Sequence, residues 1–119
     1  MRKKIIAGNW KMNMTPSEAK AFLDKIKGGI TDSPAEVVFC VPFVSISEAV
    51  KAVSGTNIKI GAQNMHWLDN GAYTGEISAK MLLDTGVSYV IIGHSERRTY
   101  YNETDDAVNK KQQAAFGAA

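Results

Sequence analysis

Four apolar runs, each followed by a helical pattern, constrain this chain more than anything else in it. They span Lys4 to Asn9, Glu36 to Val41, Ile58 to Gln63 and Ser88 to Gly93. Each is nearly continuous in valine, isoleucine and small residues. A strand wetted on one face alternates with polar residues; one covered on both faces does not, and parallel sheets create that condition. Between the runs, Ala19, Phe22, Leu23 and Ile26 recur at helical spacing, as do Ile46, Ala49, Val50 and Val53. Thr15-Pro16-Ser17-Glu18 supplies an N-cap, a first-turn proline and a capping glutamate, and Ser45 with Glu48 repeats the capping-box spacing. Gly28-Gly29 and Gly86 read as helix stops. A third helix is expected from about Ser78 to Asp84. A fourth is expected from Thr104, with Asp105 and Asp106 at its positive end.

This βαβαβαβα order predicts an α/β fold with right-handed crossovers. Two architectures fit it. One is a small doubly wound sheet; the other is four βα units of a (β/α)8 barrel, a fold that typically needs ~250 residues. No G-x-G-x-x-G or Walker A pattern follows a strand, which weakens nucleotide-binding versions of the first. At 119 residues the second is a half-barrel with parallel strands, one domain over residues 1–119.

Composition narrows the function classes. With 45% hydrophobic and 22% charged residues the chain reads as globular. A net charge of +2 and the short run Arg2-Lys3-Lys4, with no basic stripe or interleaved aromatics, argue against nucleic acid. The single Cys40 excludes an internal disulfide and reads as a small core residue. No apolar stretch approaches ~18 residues, so no membrane span is expected. No signal-peptide pattern is present, and the expected compartment is cytoplasmic. No His, Cys, Asp or Glu group has metal-ligand spacing, and no metal is expected.

The candidate chemistry gathers where strands end. Gly93-His94-Ser95-Glu96-Arg97-Arg98 follows the fourth run, and Asn9-Trp10-Lys11 closes the first. In α/β folds ligands bind beyond the carboxyl ends of strands, so both clusters point at one expected site. An imidazole at a helix start is biased toward the neutral form, able to donate one hydrogen bond to a developing oxyanion. An ammonium beside an amide, as at Lys11 and Asn9, can hold a phosphate or such an oxyanion. Glu96 is either a general acid/base or part of an ion-pair network; flanking arginines favour the network. Arg97 and Arg98 look for partners in Glu76 or Glu103.

The long connection at residues 64–77 lacks helical or strand pattern, and loops of that kind are usually functional or interfacial. Its aromatic and methionine content suits docking into a partner's pocket, the alternative being a loop folded back on its own surface. His66 within it reads as a surface or interface residue.

Three separated motifs resemble one family. Gly8-Asn9-Trp10-Lys11-Met12-Asn13, the stretch from Gly61-Ala62-Gln63-Asn64 through Gly71-Ala72-Tyr73-Thr74-Gly75-Glu76-Ile77-Ser78, and Ile92-Gly93-His94-Ser95-Glu96-Arg97-Arg98 are similar to triosephosphate isomerase. The resemblance covers Lys4 to about Ala115. It implies cofactor-free interconversion of dihydroxyacetone phosphate and glyceraldehyde 3-phosphate through an enediolate, a step of glycolysis and gluconeogenesis. It further implies that Asn9 and Lys11 bind substrate, that His94 polarises the carbonyl, and that Ser95 and Glu96 support it. The family is itself the standing example of a histidine kept neutral by a helix N-terminus, so that expectation belongs to the resemblance. The loop would enter a second subunit, bringing Thr74 near the partner's Asn9.

Against this pattern the chain is about half the family's length. It lacks the glutamate base on the mobile lid, the lid, and the glycine-rich phosphate grip. Base catalysis typically contributes ~10²–10⁴-fold, so weak or no turnover is expected of the chain alone. Gln112 interrupts the last apolar stripe, and the tail Ala114 to Ala119 looks simplified, as if altered from a natural continuation. Open sheet edges predict self-association or pairing with a complementary C-terminal half.

Overall fold

The computed structural model describes residues 3–30 and 33–119; Arg2, part of the N-terminal basic run, lies outside them. Strands β1 (Ile5–Asn9), β2 (Glu36–Val41), β3 (Lys59–Ala62) and β4 (Tyr89–Val90) form one sheet in the order β1-β2-β3-β4. All three pairings are parallel, with Ile5 opposite Glu36, Val38 opposite Lys59 and Gly61 opposite Tyr89. Helices α1 (Pro16–Ile30), α2 (Ile46–Ala52), α3 (Ala79–Thr85), α4 (Ser95–Tyr100) and α5 (Asp105–Ala118) alternate with the strands, and the sheet curls as one half of a (β/α)8 barrel.

Each strand's two faces have separate work. Val41, Ile58, Ile60 and Ala62 join Leu23, Ile46, Ala49, Met65 and Leu82 in a buried cluster between sheet and helices. Trp10, Phe22 and Phe39 tie β1, α1 and β2 at that face, with ring centroids 5.5 to 6.2 Å apart. Such pairs add roughly 0.5–1.5 kcal/mol each beyond their buried area. The opposite, concave face carries Glu36, Val38, Cys40, Lys59, Gly61 and Tyr89, since register partners share a face. Cys40 is buried there, as its neighbourhood in the sequence predicts, and burial pushes its thiol pKa up.

The Tyr89 hydroxyl reaches over β3 to donate to the Glu36 carboxylate, two strands away. Gly61 makes that crossing possible. A Cβ there would lie 2.8 Å from Cys40 Sγ and 3.1 Å from both the Tyr89 Cβ and its carbonyl oxygen. Backbone cannot yield as a flexible side chain does, so Gly61→Ala is expected to cost about 1–3 kcal/mol by overpacking. A urea midpoint unchanged from the parent would contradict this reading.

Caps explain most helix starts. Thr15 and Glu18 exchange hydrogen bonds (3.0 and 3.2 Å) in a full capping box. Ser78 accepts from the Met81 amide and Thr104 from that of Ala107. Gly86, at φ 97°, closes α3 as expected.

Three expectations fail. Gly28-Gly29 does not stop α1, which continues to Ile30. Glycine costs only about 1 kcal/mol inside a helix, too little to end one that is packed along its length. Ser45 does not cap α2 with its side chain; its fully buried hydroxyl donates instead to the Met14 carbonyl (2.8 Å), joining two loops. The fourth run is expected as strand from Ser88 to Gly93, but only Tyr89–Val90 forms ladder, because its one neighbour, β3, ends at Ala62, the residue opposite Val90.

Candidate active site

The carboxyl ends of β1 and β4 bring the two polar clusters of the sequence to one place. Asn9, Lys11, His94, Glu96 and Arg97 line a cavity of about 480 Å³, with Gln63, Asn64, Met12, Phe43, Tyr100 and Tyr101 completing its wall. Lys11 Nζ lies 3.1 Å from Glu96 Oε2, so the lysine from the first cluster meets the carboxylate from the second. Both side chains are substantially exposed, and a pair of that kind contributes only about 0–1 kcal/mol.

The Lys11 backbone is held in an unusual form. Its φ is 55°, in the left-handed region that non-glycine residues seldom occupy. Its amide donates to Asn9 Oδ1 (2.9 Å), and its carbonyl accepts from Gln63 Nε2 (2.9 Å). The same Gln63 amide nitrogen reaches Asn9 Oδ1 (3.2 Å) and the Cys40 carbonyl (3.1 Å). Conformations like this typically cost about 1–3 kcal/mol and persist where surroundings impose them, often at functional sites. Gln63 is a site residue that the sequence reading passes over, although it closes an apolar run as Asn9 does.

His94 caps α4. Its Nδ1 accepts the Glu96 backbone N–H at 3.2 Å, which requires a lone pair on Nδ1 and leaves the proton on Nε2. Glu96 Oε1 also lies 3.4 Å from Nδ1, but an ion pair there would need that nitrogen protonated, which the amide contact excludes. Nε2–H is therefore the donor available to a ligand. Ser95 opens α4 and is exposed.

Beneath the cavity lies a buried charge cluster. Glu103 Oε2 accepts from Arg97 Nε (2.7 Å) and Lys111 Nζ (2.9 Å), and Lys111 also donates to Asn64 Oδ1 (2.9 Å). Glu103 and Lys111 side chains are only 3% and 5% exposed. Burial alone would raise the Glu103 pKa, yet the hydrogen bonds from Lys111 and Arg97 outweigh it and hold the carboxyl below its ordinary value. Arg97 thus finds the expected partner in Glu103, whereas Arg98 pairs with Asp105 (2.7 Å) and Glu76 lies near His66.

The loop at residues 64–77 is pinned at its ends, with the His66 amide donating to the Ile77 carbonyl (2.7 Å). His66 is not a surface residue: it is buried, stacked on Trp67 at 4.2 Å and near Tyr73 at 4.7 Å. Aromatic neighbours one and seven positions away cannot be assigned to a histidine from spacing in a loop. Thr74 sits at the exposed tip and does not line the cavity of its own chain. Among the described residues, no group of three or more His, Cys, Asp or Glu side chains is placed to hold a metal. No helix among them is long and apolar enough to cross a membrane.

Parallel strands in sequential order, flanking helices, and polar residues gathered at the carboxyl ends define one half of a (β/α)8-barrel protein with its site at the usual end. The family model described as triosephosphate isomerase matches residues 4–119, and the chain belongs to that family. The triosephosphate isomerases of Alkaliphilus metalliredigens and Alkaliphilus oremlandii are 59% and 60% identical to it over 116 residues. That match takes in 98% of this chain and 47% of each relative, so the chain spans about half their length. The crystal structure of the Bartonella henselae enzyme superposes with a TM-score of 0.91 at 50% identity, covering 98% of this chain and 48% of that one.

Proposed function

We propose that this chain carries the carbonyl-polarising half of a triosephosphate isomerase site. The observation that carries the reading is the convergence of Asn9, Lys11 and His94 on one cavity, with His94 offering an Nε2–H donor. Lys11 balances phosphate and enediolate charge, Asn9 orients the Lys11 backbone and contacts substrate, and the imidazole donates to the carbonyl oxygen as it becomes anionic. Glu96 holds Lys11 and Ser95 starts the supporting helix. No proton-abstracting base is assigned within the chain: Glu96, the carboxylate in the cavity, is occupied by Lys11. A base from other residues completes the reaction, which takes place without a cofactor and, in this reading, in the cytoplasm.

The loop at residues 64–77 docks into a second copy, where Thr74 approaches that copy's Asn9. Exposed Leu68 and Tyr73 on the loop, and exposed Met12, Tyr100 and Tyr101 around the cavity, are matching apolar surfaces. An assembly module without activity is the second reading. It draws on the open edges of β1 and β4 and on Ile5 and Ile6, 51% and 61% exposed.

The test is a coupled assay on the chain alone and after mixing with the complementary C-terminal half of the Alkaliphilus metalliredigens enzyme. Near-background turnover alone and recovery on mixing are expected. Family-like turnover by the chain alone would overturn the assignment of the base elsewhere. A folded, associated pair that stays inert would favour the assembly reading, with sedimentation at micromolar concentration confirming the association.

A further inference from the structure

We propose that Glu103 is a positioning residue for His94, acting through the Gly93 peptide. The geometry stands by itself; only its consequence for turnover rests on the isomerase reading. Glu103 divides its two oxygens. Oε2 takes both cations, Arg97 and Lys111, while Oε1 accepts the Gly93 backbone N–H at 3.1 Å. Charge balance alone would not require the second contact.

Gly93 is the hinge from which His94 leaves β4. Its φ is 73°, and Val108 methyl carbons lie 3.1 and 3.2 Å from where a Cβ would be, so side-chain packing cannot fix this residue. Its peptide groups are fixed instead. Glu103 holds the N–H, and Arg98 Nε donates to the carbonyl at 3.2 Å. Glu103 also grips the helix that His94 caps, since Arg97 lies on α4 and the Glu103 amide donates to the Arg97 carbonyl at 3.3 Å. One buried carboxylate thus sets both the entry to α4 and its body, and the imidazole is oriented by the first turn of that helix.

Glu103→Gln keeps one oxygen for the two cations but withdraws the second acceptor from Gly93; because it also removes the charge, the readouts are taken locally at Gly93 and His94. The single amide oxygen is drawn to the two cations, which turns the NH2 toward the Gly93 N–H, donor against donor. In the folded variant, Gly93 amide exchange is expected to quicken by at least about tenfold. The His94 imidazole nitrogen spectrum should lose its Nε2–H preference. Asp106→Asn, which breaks the exposed pair with Lys110 on α5, should leave both unchanged.

Unaltered Gly93 exchange and His94 tautomer in folded Glu103→Gln would overturn the proposal. Should that variant not fold, the unaltered chain decides. A scalar coupling across the hydrogen bond from the Gly93 amide nitrogen to the Glu103 carboxyl carbon supports the proposal, and its absence sinks it. Neither measurement uses turnover. In a reconstituted isomerase the variant should lower kcat by about 10²-fold with KM little changed. The spectroscopic change without that loss would count against the isomerase reading alone.

Discussion

Glu103→Leu is expected to remove about 3–5 kcal/mol of folding stability, read as a lower urea midpoint. Lys111 would keep its charge at 5% exposure with only the Asn64 amide oxygen as partner, and the Gly93 N–H would lose its acceptor. Against a total of about 5–15 kcal/mol for an ordinary domain, that loss is a large fraction. The penalty comes from the orphaned charge, so Glu103→Leu combined with Lys111→Met should recover much of it. A buried pair replaced by apolar groups is often close to neutral.

The acid response gives a second readout. Because the folded Glu103 carboxyl is held below its ordinary value of 4.5, the unfolded chain binds more protons between the two values. Its stabilisation is therefore full above about 4.5 and fades as pH falls through the folded value. Glu103→Leu should flatten that part of the stability profile. An equally steep acid loss in the variant would assign it to other carboxylates.

Lys11→Met is expected to lower kcat/KM of the reconstituted enzyme by about 10²–10³-fold, the usual effect of removing one donor to a developing oxyanion. Folding should hardly notice. The Lys11 side chain is 55% exposed, its partner Glu96 is 42% exposed, and the hydrogen bonds that shape residue 11 come from its backbone. Surface changes of this kind usually stay within about 0.5 kcal/mol. Turnover and urea unfolding measured on the same preparation separate the two effects. A loss below tenfold would remove Lys11 from the charge-balancing role.

What could be read from the sequence follows the range of the interactions involved. The first three apolar runs, the Thr15–Glu18 box and the helix starts at Ser78 and Thr104 depend on residues a few positions apart, and each appears about where expected. His94 at the start of α4 is also local, a glycine and a polar cluster after a buried run. Gln63 binds Asn9 across 54 positions, and Lys111 binds Asn64 across 47. Ser45 finds Met14 at a separation of 31. Such partners are set by strand order, so composition offers no signal for them. Arg97 and Glu103, six positions apart and linked through a short helix, fall between these extremes and are anticipated only as one of two options.

The bond from Tyr89 to Glu36 makes this protein its own curvature gauge. The hydrogen bond to the Glu36 carboxylate, then burial, then the Glu36 charge push the Tyr89 phenol above its ordinary pKa of 10.0. Flattening the sheet would draw β2 and β4 apart and release the phenol, whereas closing the barrel on its concave side would shield it further. The tyrosinate absorbance lost on alkaline titration in Tyr89→Phe isolates this phenol from Tyr73, Tyr100 and Tyr101, and its midpoint follows how far the sheet is bent.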